Sequence, residues 1–293
     1  MARITKAIIA AAGFGTRFLP ATKVIPKEML PLLDRPIIQV LVEELAGSGI
    51  KEIILVTRPG VTTIREHFSP QVSIEKHLLK QGKKELLGSL KKISQLAKII
   101  LVEQDSRLPY GTGAPLVSVA DRIGPNEYFV LMFGDDLVKA AVPATRQLIN
   151  LWQKKKAVIL GCQELPKSQV SHYGIIRHKK GSKDEVEEIV EKPTIKEAPS
   201  CLASFGRFIL NREIIDILLD QKKQVVPGKE FYLTDAITAY AQKKPVLAQK
   251  IDGQWLTTGD PLNWLKATVE FALARPDLGK EFGQYLKNLT KAL

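Results

Sequence analysis

Three short stretches of the chain carry side chains able to work on phosphates. The first is "AAGFGTRFLPATKVIPKEMLP" (11–31). It leaves an apolar run through two glycines, then places Arg17, Lys23 and Lys27 among three prolines. Gly13 and Gly15 can take positive φ and let backbone N–H groups approach an anion closely. Arg17 and Lys27 add fixed positive charge suited to a polyphosphate. The stretch is not a Walker A loop, because no GK[ST] closes it. Phe18 stands where a dinucleotide fingerprint would have its third glycine. A structural turn after a strand is the alternative reading.

The second stretch is "FGDDL", where Asp135 and Asp136 follow the apolar run 128–133. Phosphate chemistry needs Mg²⁺ held by one or two carboxylates plus the substrate's own oxygens. The competing reading is an Asp turn, or the N-cap of a helix over 138–145. The third is "EKP", Glu191–Lys192–Pro193. Its carboxylate could hold a hydroxylated ligand and its lysine a phosphate, or the two could be a surface ion pair.

These residues need elements that bring them to one place. Apolar, β-branched runs predict strands over 6–11, 52–57, 98–103, 128–133 and 157–161. Helical periodicity separates them, over 36–47, about 61–68, about 72–95, 113–122 and 143–155. Such alternation of continuously apolar strands with helices argues a parallel sheet covered on both faces. After residue 165 the pattern becomes antiparallel, with Tyr173–Arg177 and Glu185–Glu191 as partner strands and a further strand over 201–210. Helices at about 211–219 and 234–242, a strand near 246–250, and helices at about 261–274 and 277–291 complete the chain. The expectation is one α/β domain over 1–293: a Rossmann-like, mostly parallel sheet flanked by helices, with a β-rich insertion and a C-terminal helical tail. Its parts are about 1–165, about 166–258 and about 259–293. In open α/β sheets, ligands sit beyond the carboxyl ends of the strands, and all three stretches lie at such ends.

Composition narrows the classes. Lys and Arg total 43 against 31 Asp and Glu, a net +12, which favours anionic partners. The lysines of "KQGKKELLGSLKK" (80–92) read as the wet face of an amphipathic helix whose Leu78, Leu79, Leu86, Leu87 and Leu90 pack inward. No zinc-finger, RNP or helix-turn-helix pattern accompanies the charge, so nucleic acid is not an expected partner. No apolar run is long enough to cross a bilayer, so no membrane role is expected. The opening residues read as a strand and loop, not a targeting segment. Cys162 and Cys201 stand in no CxxC pattern, which fits a reducing cytoplasm. The four histidines form no metal-ligand spacing. An apolar stripe in the C-terminal helices (Trp264, Leu265, Val269, Phe271, Leu273, Phe282, Tyr285, Leu286) would cover the sheet or make a subunit contact.

Taken in order, "AAGFGTRFLPATKVIPKEMLP … FGDD … YGII … VEKP … FGRFIL … LTDAI" resembles the bacterial-type UTP–glucose-1-phosphate uridylyltransferases, or UDP-glucose pyrophosphorylases, of the sugar nucleotidyltransferase superfamily. The resemblance runs from about Lys6 to about Phe271. It implies an enzyme in which a glucose 1-phosphate oxygen attacks the α-phosphorus of UTP, releasing pyrophosphate and forming UDP-glucose. It implies Mg²⁺ as cofactor, with Asp135 at the metal-binding position. Ala12, Gly13 and Gly15 would border the nucleotide, and Arg17 and Lys27 would face the triphosphate. Glu28, Gln104 and Gly111 match uracil contacts. Asp136, Gly174, Glu191 and Gly206 match sugar positions, and Lys192 matches the lysine that pairs with the sugar phosphate. Family members often form homo-oligomers.

The chain also departs from the family pattern. "YDxGxxLGY" reads "WLTTGDPLNWLKA", which puts Thr257 where the wider superfamily can have a second metal ligand, with Asp260 three residues on. "GLGHAV" reads "GTGAPL", with Ala114 and Pro115; "APSNLA" reads "APSCLA" at Cys201; and "EIQLTDAI" reads "EFYLTDAI". These changes cluster around base and sugar. They motivate two alternatives: another nucleotide or sugar 1-phosphate on the same fold, or a non-catalytic nucleotide-sugar-binding paralogue.

Overall fold

The computed structural model describes residues 3–226 and 228–291. The Ile- and Val-rich runs become strands because they are too short for helices and apolar on both faces. The chain enters as β1 (Lys6–Ala11). Three 3₁₀ turns and a small hairpin, β2 (Pro31–Leu32) and β3 (Arg35–Pro36), lead to α1 (Ile37–Gly47) and β4 (Glu52–Thr57). Next come α2 (Thr63–Phe68), α3 (Val72–Lys80), α4 (Lys84–Ile93) and β5 (Lys98–Glu103). A short α5 (Ala114–Val117) precedes β6 (Tyr128–Phe133) and β7 (Asp136–Lys139). Then follow α6 (Ala144–Lys155), β8 (Val158–Glu164), β9 (Gly174–His178), β10 (Val186–Glu191) and β11 (Leu202–Asn211). The chain closes with α7 (Arg212–Gln221), α8 (Leu233–Ala241), β12 (Val246–Lys250), β13 (Gln254–Thr257), α9 (Pro261–Leu273) and α10 (Gly279–Lys291).

Nine strands make one sheet, with β10-β9-β11-β6-β1-β4-β5 as its main path. β6, β1, β4 and β5 are parallel. β11 runs antiparallel to them, bonded to β6 over Arg207–Asn211, to β9 over Ala203–Ser204, and to β8. β8 carries β12 in parallel. Alternate residues of each strand feed opposite faces. Ala7, Ile9, Ile53 and Leu55 join one core, with α1 and α6; Ile8, Ile54 and Val56 join the other, with α7 and α8.

One buried ion pair ties three elements together. Arg207 of β11 is inaccessible to solvent. Its Nε and Nη2 donate to Glu44 of α1 at 3.1 and 2.8 Å, and Thr145 of α6 donates to the same carboxylate through N and Oγ1 at 3.1 and 2.7 Å. Burial pushes the Glu44 pKa up, but Arg207 and Thr145 outweigh it and hold the carboxyl below its ordinary value.

The expected β-rich stretch is there, and its strands β9, β10 and β11 extend the main sheet. Several other expectations change. The helix expected over 72–95 is two helices, broken where Gly82 takes φ 66°. Its leucines do not pack inward as expected; no residue of α3 or α4 is buried, and Leu79 and Leu86 are more than half exposed. These helices border an open groove of about 670 Å³ against α1, and the edge strand β5 that follows them is itself half-buried. The helix expected over 113–122 is the one-turn α5 followed by a 3₁₀ turn. No helix starts at 138; β7 is there, paired with β13. In the C-terminal stripe, Trp264 and Phe271 pack on a core, but α10 buries no residue. Among the described residues, no helix is long and apolar enough to cross a membrane.

Removing one partner of a buried ion pair leaves an uncompensated charge. Glu44→Ala is therefore expected to lower unfolding free energy by about 3–5 kcal/mol, measured by urea titration monitored by circular dichroism.

Candidate active site

β1 and β6 pair in parallel, so both leave the sheet at the same edge. Beyond β1, Gly15 takes φ 64° and opens the 3₁₀ turn Thr16–Phe18, in which Phe18 is buried and Arg17 exposed. Thr22 Oγ1 donates to the Gly15 carbonyl at 2.7 Å and closes the loop. Extended Pro26 then starts the turn Lys27–Met29. Beyond β6, the Gly134 N–H donates to the Ala10 carbonyl at 3.0 Å, so the Gly134–Asp135 turn lies against β1. A side chain at Gly134 would place Cβ 2.8 Å from Glu28 Cγ.

The two loops meet in an ion pair. Lys27 Nζ donates to Asp135 Oδ2 at 2.5 Å. Burial works against the Lys27 ammonium, but Asp135 and Glu28 outweigh it and raise its pKa. Arg17 Nη1 donates to the Gly259 carbonyl at 3.3 Å, bringing the chain after β13 to the same place. Thr258 fixes the acidic turn: its N and Oγ1 donate to the Asp135 carbonyl at 2.6 and 2.9 Å.

Glu28 lies beside this pair, 1% exposed, with neither carboxylate oxygen hydrogen-bonded. Burial pushes its pKa up to about 8, against the pull of Lys27. A cavity of about 250 Å³ lies here, lined by Ala12, Gly13, Lys27, Gln104, Tyr110, Gly111, Pro115, Asp135 and Glu230, among others. Gln104 is held at the end of β5 by donating its N–H to the Thr57 carbonyl at 2.7 Å. Gly111, at φ 146°, touches the Phe231 backbone so closely that a Cβ would come 2.2 Å from its carbonyl oxygen. The strip before α8 is laced to this loop: Phe231 N donates to Tyr110 O at 2.7 Å and Gly113 N to Phe231 O at 2.9 Å.

The residues matched to the sugar gather on β7, β9, β10 and β11. Asp136 is buried, accepting from Gly206 N at 2.9 Å and Trp255 Nε1 at 2.7 Å. Burial and the neighbouring Asp135 push its pKa up to about 6. Gly206 has a packing reason: a Cβ there would sit 2.6 Å from Phe133 Cβ and 2.7 Å from Asp136 Oδ2. Gly174 has one too, with Ile189 Cγ2 at 2.9 Å and Glu191 Oε2 at 3.2 Å from its Cβ position. Glu191 accepts from Thr234 Oγ1 at 3.2 Å, and burial raises its pKa against the pull of Lys192. Lys192 adopts the left-handed conformation, φ 46°, with Nζ 4.0 Å from Glu191 Oε1 and 5.7 Å from the Tyr232 ring centre.

Two points of the sequence reading change in detail. Asp260 caps α9, accepting from Asn263 N at 3.0 Å and Nδ2 at 2.6 Å, so its carboxylate is engaged. Thr257 ends β13, opposite Asp136. The sequence reading missed Thr258, Trp255, Tyr110 and Glu230. Tertiary pairing of β13 with β7 brings the first two to the acidic turn; they lie in "WLTTGDPLNWLKA", where the sequence pointed to Thr257 and Asp260 instead.

Among the described residues, no group of three or more His, Cys, Asp or Glu could hold a metal ion. Asp135 is the carboxylate at the mouth, 27% exposed, with Oδ2 on Lys27. Mg²⁺ usually keeps several waters and uses one or two carboxylates plus substrate phosphates. The donor set fits an ion that arrives with phosphates.

Known proteins match this chain over nearly its full length. The profile of the nucleotidyl transferase family matches residues 6–272. A UTP–glucose-1-phosphate uridylyltransferase of Staphylococcus haemolyticus is 43% identical over 291 residues, 99% of each chain. A solved UDP-glucose pyrophosphorylase from Acinetobacter baumannii superposes with TM-score 0.88 at 33% identity, covering 98% of this chain and 99% of that one. A UTP-bound structure from the same organism gives TM-score 0.88 at 32% identity, with the same coverage.

The Glu28 carboxyl has a pH signature. Its folded pKa of about 8 lies above the ordinary 4.5, so the native state holds a proton that the unfolded state loses between those values. Its stabilisation is complete below pH 4.5 and falls as pH rises towards 8. Glu28→Gln removes that slope. Relative to wild type, the ligand-free variant should gain on the order of 3 kcal/mol in urea-unfolding stability between pH 5 and pH 8.

Proposed function

The chain belongs to the nucleotidyl transferase family, and on that premise we propose that it transfers a uridylyl group from UTP to glucose 1-phosphate, giving UDP-glucose and pyrophosphate. A phosphate oxygen of glucose 1-phosphate forms a bond to the α-phosphorus as the bond to the β-phosphate bridge oxygen breaks. The leaving group takes the electron pair, and no covalent enzyme intermediate is needed. Such transfers depend on positioning and charge neutralisation. The observation that carries this reading is the meeting of Arg17, Lys27 and Asp135 at one sheet edge, from segments more than 100 positions apart.

In this reading Ala12, Gly13 and Gly15 border the nucleotide. Arg17 and Lys27 neutralise the triphosphate that departs as pyrophosphate. The cavity beside Glu28, Gln104 and Gly111 receives uracil. The neutral carboxyl of Glu28 offers one donor and one acceptor, which matches the N–H and carbonyl edge of that base. Glu191 faces sugar hydroxyls, with Gly174 and Gly206 shaping the floor, and Lys192 takes the sugar phosphate. Asp136 supports that floor through Gly206 and Trp255. Asp135 would hold Mg²⁺ together with substrate phosphates; when bound, the ion neutralises charge on the reacting phosphates. About 1–165 would mainly serve the nucleotide and about 166–258 the sugar, with the helices α9 and α10 as the tail. Exposed Leu278, Tyr285 and Leu289 on and before α10 suit self-association. The two unbridged cysteines suit the cytoplasm.

Pyrophosphate release from UTP and glucose 1-phosphate, with and without Mg²⁺, tests the assignment. Lys27→Ala and Asp135→Ala should each lower kcat/KM by ~10²-fold or more; near-normal turnover by either would overturn it. Lys192 offers a separation of stability from function. Lys192→Gly relieves a left-handed non-glycine position and should stabilise the fold by about 0.5–1 kcal/mol. The same change should raise KM for glucose 1-phosphate by roughly tenfold while KM for UTP stays near wild type.

A further inference from the structure

We propose that the Lys27–Asp135 ion pair is a latch that makes divalent cation and nucleotide triphosphate bind together rather than separately. This rests on reading Lys27 as a phosphate ligand and Asp135 as the cation ligand.

In the structure these two groups neutralise each other, Nζ to Oδ2 at 2.5 Å, and both side chains are largely shielded from water. The partners differ in freedom. Asp135 is held at its backbone by Thr258 N and Oγ1, and the preceding Gly134 is bonded to Ala10. Lys27 reaches Asp135 on a flexible four-carbon stem. Its Cε and Nζ face the loop backbone, 3.6 and 3.8 Å from the Cβ position of Gly13, where no side chain intervenes. Small motions of the stem suffice to move the ammonium from the carboxylate to an anion over that loop.

The electrostatics follow. A divalent cation reaching Asp135 meets an ammonium already there, and in a partly buried site like charges are weakly screened. Without an anion nearby, displaced Lys27 has a poor alternative. Glu28 Oε1 is 4.0 Å away, but burial keeps that carboxyl mostly neutral at pH 7. A triphosphate supplies the missing partner. Once Lys27 turns to phosphate, Asp135 is left without a counter-charge and favours a cation. Each ligand therefore removes the other's competitor, and the coupling is reciprocal. No bond is made or broken in this exchange.

The latch makes an unusual demand: a substitution that harms catalysis should improve cation binding. Mn²⁺, read by the loss of its free-ion electron paramagnetic resonance signal, is the probe. Without nucleotide, Lys27→Met should bind Mn²⁺ at least tenfold tighter than wild type, and Lys27→Gln should agree. The gain should vanish in the double variant Lys27→Met, Asp135→Asn. Reciprocally, Asp135→Asn should bind UTP in EDTA severalfold tighter than wild type by calorimetry. Circular dichroism confirms that each variant is folded. Equal Mn²⁺ affinity in wild type and both Lys27 variants overturns the latch, while the loss of turnover in Asp135→Ala would still uphold the proposed activity. A gain that survives in the double variant places the ion away from Asp135, and overturns both the latch and that residue's assignment.

Discussion

Parallel pairing of β1 with β6 is the constraint on which the site depends. Two strands running in the same direction must release their chains at the same edge, and here one release is cationic and the other acidic. The Gly134 N–H bonded to Ala10 sets the spacing between them, and glycine is required there because Glu28 leaves no room for a β-carbon. From that spacing come the Lys27–Asp135 pair and the seclusion of the Glu28 carboxyl. Gln104 and Gly111 reach the same cavity from the chain after β5, two strands from β1.

Much of this was legible in the amino-acid order. The runs at 6–11, 52–57, 98–103 and 128–133 are strands with the expected bounds, because continuous β-branched segments of that length have little other use. The cationic loop was legible because two glycines, three prolines and fixed charges leave a strand together. What escaped depends on contacts between distant segments. β7 and β13 are four residues each, and pair only with each other as a sheet. Trp255 and Thr258 stand in the stretch where Thr257 and Asp260 drew notice, yet only that pairing shows that they hold the acidic turn. The leucines of α3 and α4 have a helical period, yet that period cannot tell whether a neighbour arrives to bury them. The glycines at 174 and 206 were read as ligand contacts, and the structure gives each a packing reason in addition.

Charge in this molecule is managed at two depths. Deep in the core, Arg207 and Glu44 satisfy each other with help from Thr145, and nothing there is free to rearrange. At the cleft mouth, Lys27 and Asp135 satisfy each other on loops rather than in the core, while Glu28 avoids the problem by keeping its proton. Burial favours such arrangements, since an ionised group without a partner is far costlier than a neutral or paired one. The overall +12 then acts at long range, favouring the approach of anions.

β11 has a mechanical consequence. It is bonded to β6, the strand that carries the acidic turn, and also to β8 and to β9, the strand of Gly174. A single ten-residue strand thus spans both halves, and its central arginine is riveted to α1. Rotation of one half against the other would have to shear that ladder. A hinge between the halves is thereby braced, and the width of the cleft is set by the sheet itself.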